Sequence, residues 1–169
     1  MYRWLVQRCL GRVGRVLARE LHLWPTPRTL VVVPEGVDAG ALGLPGPGIA
    51  RSPAHLATRP IGTGTDGALA CMALHGLPPQ AGLELLARLK AHTPCLIADF
   101  CQTERNLHTP ATALLGALLR LTPQAATHAA YMHHGALEGL LHRAGWPVAR
   151  RWQCCGGAVR LALMTRQEG

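Results

Sequence analysis

The sequence predicts an α/β domain with a mostly parallel sheet, flanking helices, an antiparallel C-terminal hairpin strand and an N-terminal amphipathic helix. Three observations predict it. Short apolar runs ending in polar residues alternate with segments of helical periodicity, the pattern of strand–crossover–strand units. The clearest unit runs from Leu77 to Phe100: Pro78-Pro79, a leucine-rich stretch, the break at His92-Thr93-Pro94, then Cys-Leu-Ile-Ala before Asp99. Near the end, two strand-like runs flank Cys154-Cys155-Gly156-Gly157, which reads as a hairpin.

In order, residues 1–24 plot as an amphipathic helix. Leu5, Val6, Cys9, Leu10, Val13, Val16, Leu17 and Leu21 share one arc and Arg8, Arg12, Arg15 and Arg19 an adjacent one, with Gly11 and Gly14 weakening the helix slightly. Three readings compete: a helix docked on the domain, a membrane-surface helix and an Arg-rich transit peptide. Arg28–Val33 is the first strand, and Pro34-Glu35-Gly36 turns after it. Val37–Thr65 is rich in Gly and Pro, so it predicts loops with short strands near Gly48–Arg51 and Ala57–Ile61. It contains neither a P-loop nor G-x-G-x-x-G.

Asp66–Leu74 is the next strand. Pro78 and Pro79 suit a helix start, Arg88 and Lys90 its C-terminus, and Cys95–Ala98 is a buried strand with Asp99 at its carboxyl end. Cys101–His108 is polar. Thr109-Pro110 opens a helix through Leu121 that Thr122-Pro123 ends, and Gly135–Ala144 forms another with Gly145 beyond it. Val148–Gln153 and Ala158–Met164 are the hairpin strands.

A chain of 169 residues reads as one domain, and with a single Phe its core must be Leu, Val and Ala. The 17 Lys and Arg against 9 Asp and Glu give +8, scattered rather than in runs, which reads as a solvated basic surface. No nucleic-acid motif accompanies it, so no nucleic-acid partner is expected. Six cysteines without C-x-x-C indicate a reducing compartment, and no apolar stretch reaches the ~18 residues of a membrane span. A cytoplasmic protein is expected, with residues 1–24 as the one candidate for peripheral membrane contact.

Several residues invite chemistry. Asp99 ends a strand, His75 follows one, and Glu104-Arg105-Asn106 lie in the loop after Asp99; for each, a structural role competes with a site role. His134, Glu138 and His142 share one side of a helix, but the spacing is not H-E-x-x-H and no metal site is expected. Cys154-Cys155 reads as an oxidisable surface pair with ordinary thiol acidity.

The order strand, Leu74-His75-Gly76-Leu77-Pro78-Pro79, helix, strand ending Ala98-Asp99-Phe100, lid helices, Gly135-Ala-Leu-Glu-Gly-Leu-Leu-His-Arg-Ala-Gly-Trp146 and closing hairpin resembles the class I S-adenosylmethionine-dependent methyltransferases. It is most similar to their ubiquinone/menaquinone C-methyltransferase-like small-molecule branch. The resemblance covers Thr65–Arg166. It departs before that: Val33-Pro34-Glu35-Gly36 stands where the family has a glycine-rich turn, and Val37–Thr65 is too short to supply the family's ribose-binding acid. The chain thus divides into the helix of residues 1–24, an eroded cofactor half over 28–66 and a retained substrate-side half over 67–166.

The resemblance implies a Rossmann-like sheet that binds S-adenosylmethionine, weakly, near Pro34, Glu35, Gly36, Ala73 and Leu74. It implies catalytic roles for His75 and Asp99 and substrate contacts from Glu104, Arg105, Asn106 and His133. The activity implied is methylation of a small apolar or aromatic metabolite. The alternatives are an inactive relative serving as a partner subunit, homodimer or ligand-binding module, and a basic membrane-peripheral protein.

Overall fold

The computed structural model describes residues 2–20, 28–43, 49–58, 64–92, 94–102 and 116–164. Within them lies a six-stranded sheet built from β1 (Leu30–Val32), β2 (Ile49–Arg51), β3 (Ala68–Cys71), β4 (Cys95–Phe100), β5 (Arg150–Cys154) and β6 (Val159–Met164). The strand order is β2-β1-β3-β4-β6-β5. The first four strands run parallel; β6 lies antiparallel beside β4, from Cys95↔Met164 to Phe100↔Val159, and pairs with β5 in the hairpin. The mostly parallel α/β architecture is therefore the one expected.

Burial explains why the parallel strands read as unbroken apolar runs. Every residue of β1, β3 and β4 is buried, as in a sheet covered on both faces. The edge strand β5 instead exposes Arg150, Arg151 and Gln153, charge and polarity that discourage further pairing.

The helices are α1 (Tyr2–Glu20), α2 (Pro53–Thr58), α3 (Pro79–Leu89), α4 (Ala125–His133) and α5 (Ala136–Arg143); residues 116–120 are also helical. α3, α4 and α5 pack together, with α5 against β4, whereas α1 packs on β5 and on a 3-10 turn at Ala39–Leu42. The docked reading of α1 holds: Leu5, Val6, Cys9, Leu10, Val13 and Leu17 are buried. Each large apolar side chain so buried contributes about 1.5–3 kcal/mol before chain entropy is set against it. Gly14 lets the helix approach, since a Cβ there would stand 1.8 Å from the Leu42 carbonyl oxygen. No helix among the described residues is long and apolar enough to cross a membrane.

Two expectations need correction. The strand anticipated at Ala57–Ile61 is replaced over its described part by α2, because Pro53 suits a first helical turn and Ser52 Oγ caps it by accepting from His55 N–H at 3.2 Å. α4 had no counterpart in the sequence reading: Ala125-Ala126-Thr127-His128-Ala129-Ala130 carries no apolar stripe. The helix expected over Thr109–Leu121 appears at 116–120, and Thr122 ends it by donating to Leu119 C=O at 2.7 Å. Its earlier part lies outside the described residues.

Candidate functional site

From β1 the chain moves outward to β2 and then returns to β3 on the other side of β1, so the direction of winding reverses between β1 and β3. Open parallel sheets bind ligands in the crevice outside the carboxyl ends of the strands at such a point. A cavity of about 230 Å³ lies there. Pro34 and Glu35 line it from the end of β1, Met72, Ala73 and Gly76 from the end of β3, and Ser52-Pro53-Ala54 from the start of α2. Met72 holds φ +56°, a left-handed conformation rare for a bulky residue, while its N–H donates to Ala98 C=O at 2.7 Å. Strained backbone of this kind concentrates at ligand sites.

Beneath the cleft, His75 and Asp99 form a pair with no exposed surface. Asp99 Oδ1 accepts from His75 Nδ1 at 2.8 Å and from the Phe100 N–H at 2.8 Å. Its Oδ2 accepts from the N–H groups of Leu74 at 2.7 Å and His75 at 3.3 Å. The carboxylate therefore ties the loop after β3 to the end of β4, and a buried charge with four such bonds is compensated. With Nδ1–H turned to Asp99, Nε2 is left to accept from the Tyr2 hydroxyl at 2.9 Å.

Both tyrosines and the only phenylalanine of the chain converge on this imidazole. Phe100 meets it edge-on at 4.7 Å, Tyr2 is 5.8 Å and Tyr131 6.4 Å away, and the His128 ring lies at 5.9 Å. Tyr131 is anchored by donating to Phe100 C=O at 2.7 Å. Burial, then the neighbouring His75, pushes the His128 pKa down to about 4, while burial and the Asp99 charge push the Tyr2 hydroxyl up.

The first turn of α1 closes the cleft from above. Tyr2 lines the cavity, and the Arg3 guanidinium lies over Gly36, whose φ of +71° a side chain would resist and whose Cβ would meet that guanidinium at 2.6 Å. Sequence reasoning missed Tyr2, Met72, Gln124, His128 and Tyr131. Only the scarcity of aromatic residues hinted that the few present are used together.

Of the anticipated cofactor residues, Pro34, Glu35 and Ala73 line the cavity. Gly36 sits under Arg3, and Leu74 is buried, giving its N–H to Asp99 rather than to the cleft. His133 is exposed at the end of α4 with its ring 5.8 Å from that of His134; α4 turns Tyr131 inward, and a residue two positions on does not share that face. Glu104, Arg105 and Asn106 lie outside the described residues. Glu138 pairs with Arg160 at 2.6 Å, and His134 Nδ1 accepts from the Arg143 guanidinium at 3.1 Å; His134 caps the end of α4 while Glu138 and His142 lie on α5, so the three do not share one helix face as expected.

This fold is that of the class I S-adenosylmethionine-dependent methyltransferases. Over 93% of its length the chain superposes on 53% of the mitomycin 7-O-methyltransferase MmcR with a TM-score of 0.56 and 21% identity. The pyocyanin biosynthetic protein PhzM matches over 91% of this chain and 54% of its own, with a TM-score of 0.55 and 17% identity. Magnesium protoporphyrin IX methyltransferase (ChlM) from Synechocystis PCC 6803, solved with SAH bound, matches over 95% and 83%, with a TM-score of 0.52 and 13% identity. The chain spans about half the length of the first two. No family model and no curated protein matches the sequence.

Proposed function

We propose that the chain binds S-adenosylmethionine in the cleft at the carboxyl ends of β1 and β3 and methylates a small apolar or aromatic molecule. The observation that carries this reading is the position of the cavity: it lies at the reversal point of the sheet and is lined by the residues that follow both strands. The donor set suits a zwitterionic nucleoside. Glu35 and Ser52 offer acceptors, Met72, Ala73 and Leu77 an apolar wall, and Arg3 at Gly36 a cation for a carboxylate. The bound cofactor would supply an electrophilic sulfonium methyl group. What this chain adds is positioning, exclusion of water by Tyr2 and α1, and an imidazole held in one orientation by Asp99.

No acid follows β2, whose successor is Ser52. An unmade hydrogen bond of about 1–3 kcal/mol weakens affinity by one to two decades rather than abolishing it. Calorimetric titration with S-adenosylmethionine and its demethylated product tests the reading. Binding in the micromolar to millimolar range, weakened about tenfold by Glu35→Gln with the fold intact, is expected. No heat at millimolar cofactor removes it.

A second reading, a binding module without transferase activity, is favoured by one observation. Both ring nitrogens of His75 and both oxygens of Asp99 are satisfied inside the protein and neither residue is exposed. Cofactor binding without methyl transfer to any of a panel of phenols and quinols supports that reading over the first.

A further inference from the structure

The His75–Asp99 pair is sealed from solvent, yet one hydrogen bond carries it to the cleft. Asp99 Oδ1 accepts from His75 Nδ1 at 2.8 Å, and His75 Nε2 accepts from the Tyr2 hydroxyl at 2.9 Å. Tyr2 lines the cavity of about 230 Å³, so the path from Asp99 through His75 ends on the cavity wall. A hydroxyl has one proton and two lone pairs. The Tyr2 proton goes to His75, which leaves the oxygen able to accept from a ligand. Gly76 is on the same wall, and a Cβ there would stand 3.6 Å from that oxygen. The hydroxyl therefore borders the cavity, and the glycine keeps it approachable.

Gln124 supplies a second, independent observation. It lines the same cavity, and its amide oxygen is buried with no hydrogen-bond partner among the described residues. A buried acceptor left unpaired is costly, and a ligand donor in the cavity would compensate it.

We propose that Tyr2 is a catalytic residue that relays a proton to His75 from the hydroxyl of a phenol-like methyl acceptor. The relay rests on the methyl-transfer reading above and supplies its base. The acceptor O–H bond breaks and its proton passes to Tyr2 Oη. The Tyr2 O–H bond breaks in the same event, and its proton bonds to His75 Nε2. The acceptor oxygen keeps the electron pair with which it attacks, and the imidazole gains one positive charge.

The surroundings of His75 suit that charge. The Asp99 carboxylate lies against Nδ1, fixed by three backbone N–H groups, and attraction between opposite charges is strong in a dry site. Of the other rings facing the imidazole, Phe100 and Tyr131 are uncharged, and burial and His75 hold His128 down to about 4, so no second cation opposes it. Burial and the Asp99 charge push the Tyr2 hydroxyl up, so it passes a proton on without standing as a phenolate. The full satisfaction of His75 is then compatible with chemistry, because the partner of Nε2 is the group that meets the ligand.

The test uses the full chain without cofactor and 4-nitrophenol, whose colour reports its ionisation. Binding should lower the ionisation midpoint of the phenol by about one pH unit, a tenfold change. At the same stoichiometry, NMR of the His75 ring nitrogens should show the neutral tautomer giving way to the imidazolium. Tyr2→Phe keeps the ring and breaks the relay, so the phenol should bind with its midpoint and the imidazole signals unchanged. Gly76→Ala, which narrows the approach to the hydroxyl, should weaken phenol binding severalfold. Equal ionisation in Tyr2→Phe overturns the relay. So does a bound phenol that stays neutral in the unsubstituted protein, or no phenol binding at millimolar concentration. Calorimetry with S-adenosylmethionine on both proteins separates this proposal from the reading beneath it. Cofactor heat without phenol ionisation overturns the relay alone. Phenol ionisation that depends on Tyr2, without cofactor heat, supports the proton path and removes its methyl donor.

Discussion

β4 and β6 pair over six residues, from Cys95↔Met164 to Phe100↔Val159, whereas β1 pairs with β2 over only three. On the long-stranded side, α3, α4 and α5 pack together and the Asp99 carboxylate ties strand ends directly. On the short-stranded side, a 3-10 turn at Ala39–Leu42 stands between β1 and β2, and a helix of six residues follows β2. The 3-10 turn there is covered by α1, which lays its leucines and valines on it and reaches β5 at the opposite edge of the sheet. One side is held by its own buried polar network. The other borrows apolar surface from the start of the chain. The candidate cleft sits on the seam, with walls from both.

Asp99→Ala breaks the first arrangement most severely. Three backbone N–H groups and His75 Nδ1 lose their acceptor at once, and removing one partner of a buried pair costs about 3–5 kcal/mol. Chemical denaturation should show a large fall in midpoint, and Asp99→Asn should recover part of it. An unchanged midpoint would mean that the tie contributes nothing to that side.

Leu10→Ala attacks the borrowed cover. Leu10 is fully buried in the face of α1, so truncation should cost about 2–5 kcal/mol. The same measurement made on Leu86→Ala in α3, equally buried, sharpens the comparison. If Leu10→Ala is nearly silent, α1 is an appendage and the short-stranded side stands alone.

The aromatic cluster under the cleft should give the seam an acid sensitivity. Folding lowers the His128 pKa from its ordinary 6.5 to about 4, so between those values the unfolded chain binds the proton that the folded one refuses. Stability therefore falls as pH drops from about 6.5 towards 4, and this group adds no further loss below that. Thermal unfolding across pH 4–7 should show the decline, and His128→Phe should flatten it. A decline of the same size in the variant would assign the effect to other groups.

Tyr2→Phe is the mildest break. It removes one hydroxyl from His75 Nε2 and keeps the ring, for a cost of about 0.5–1.5 kcal/mol. Fluorescence-monitored denaturation should resolve it. A loss equal to that of Leu10→Ala would show that α1 is fastened by its first turn rather than by its apolar face.

Local pattern was enough for the elements whose identity depends on neighbours along the chain. β1, β3, β4 and the β5–β6 hairpin, α3 with its double proline, and the apolar arc of α1 were all legible, because burial on both faces leaves an apolar run and burial on one leaves a periodicity. α4 was not legible, since alanines fit either a buried or an exposed face. Nor was α2, where a two-residue proline and serine signal outweighed the apolar run beside it. Pro34, Glu35 and Ala73 were pointed to by the family resemblance, and they line the cleft because the carboxyl ends of parallel strands fall on one edge. Tyr2 meeting His75 across 73 positions, and Tyr131 reaching the carbonyl of Phe100, were decided only by tertiary structure. Such meetings depend on where α1 docks, and docking is set by the summed fit of surfaces far apart in sequence, not by the residues that happen to be brought together.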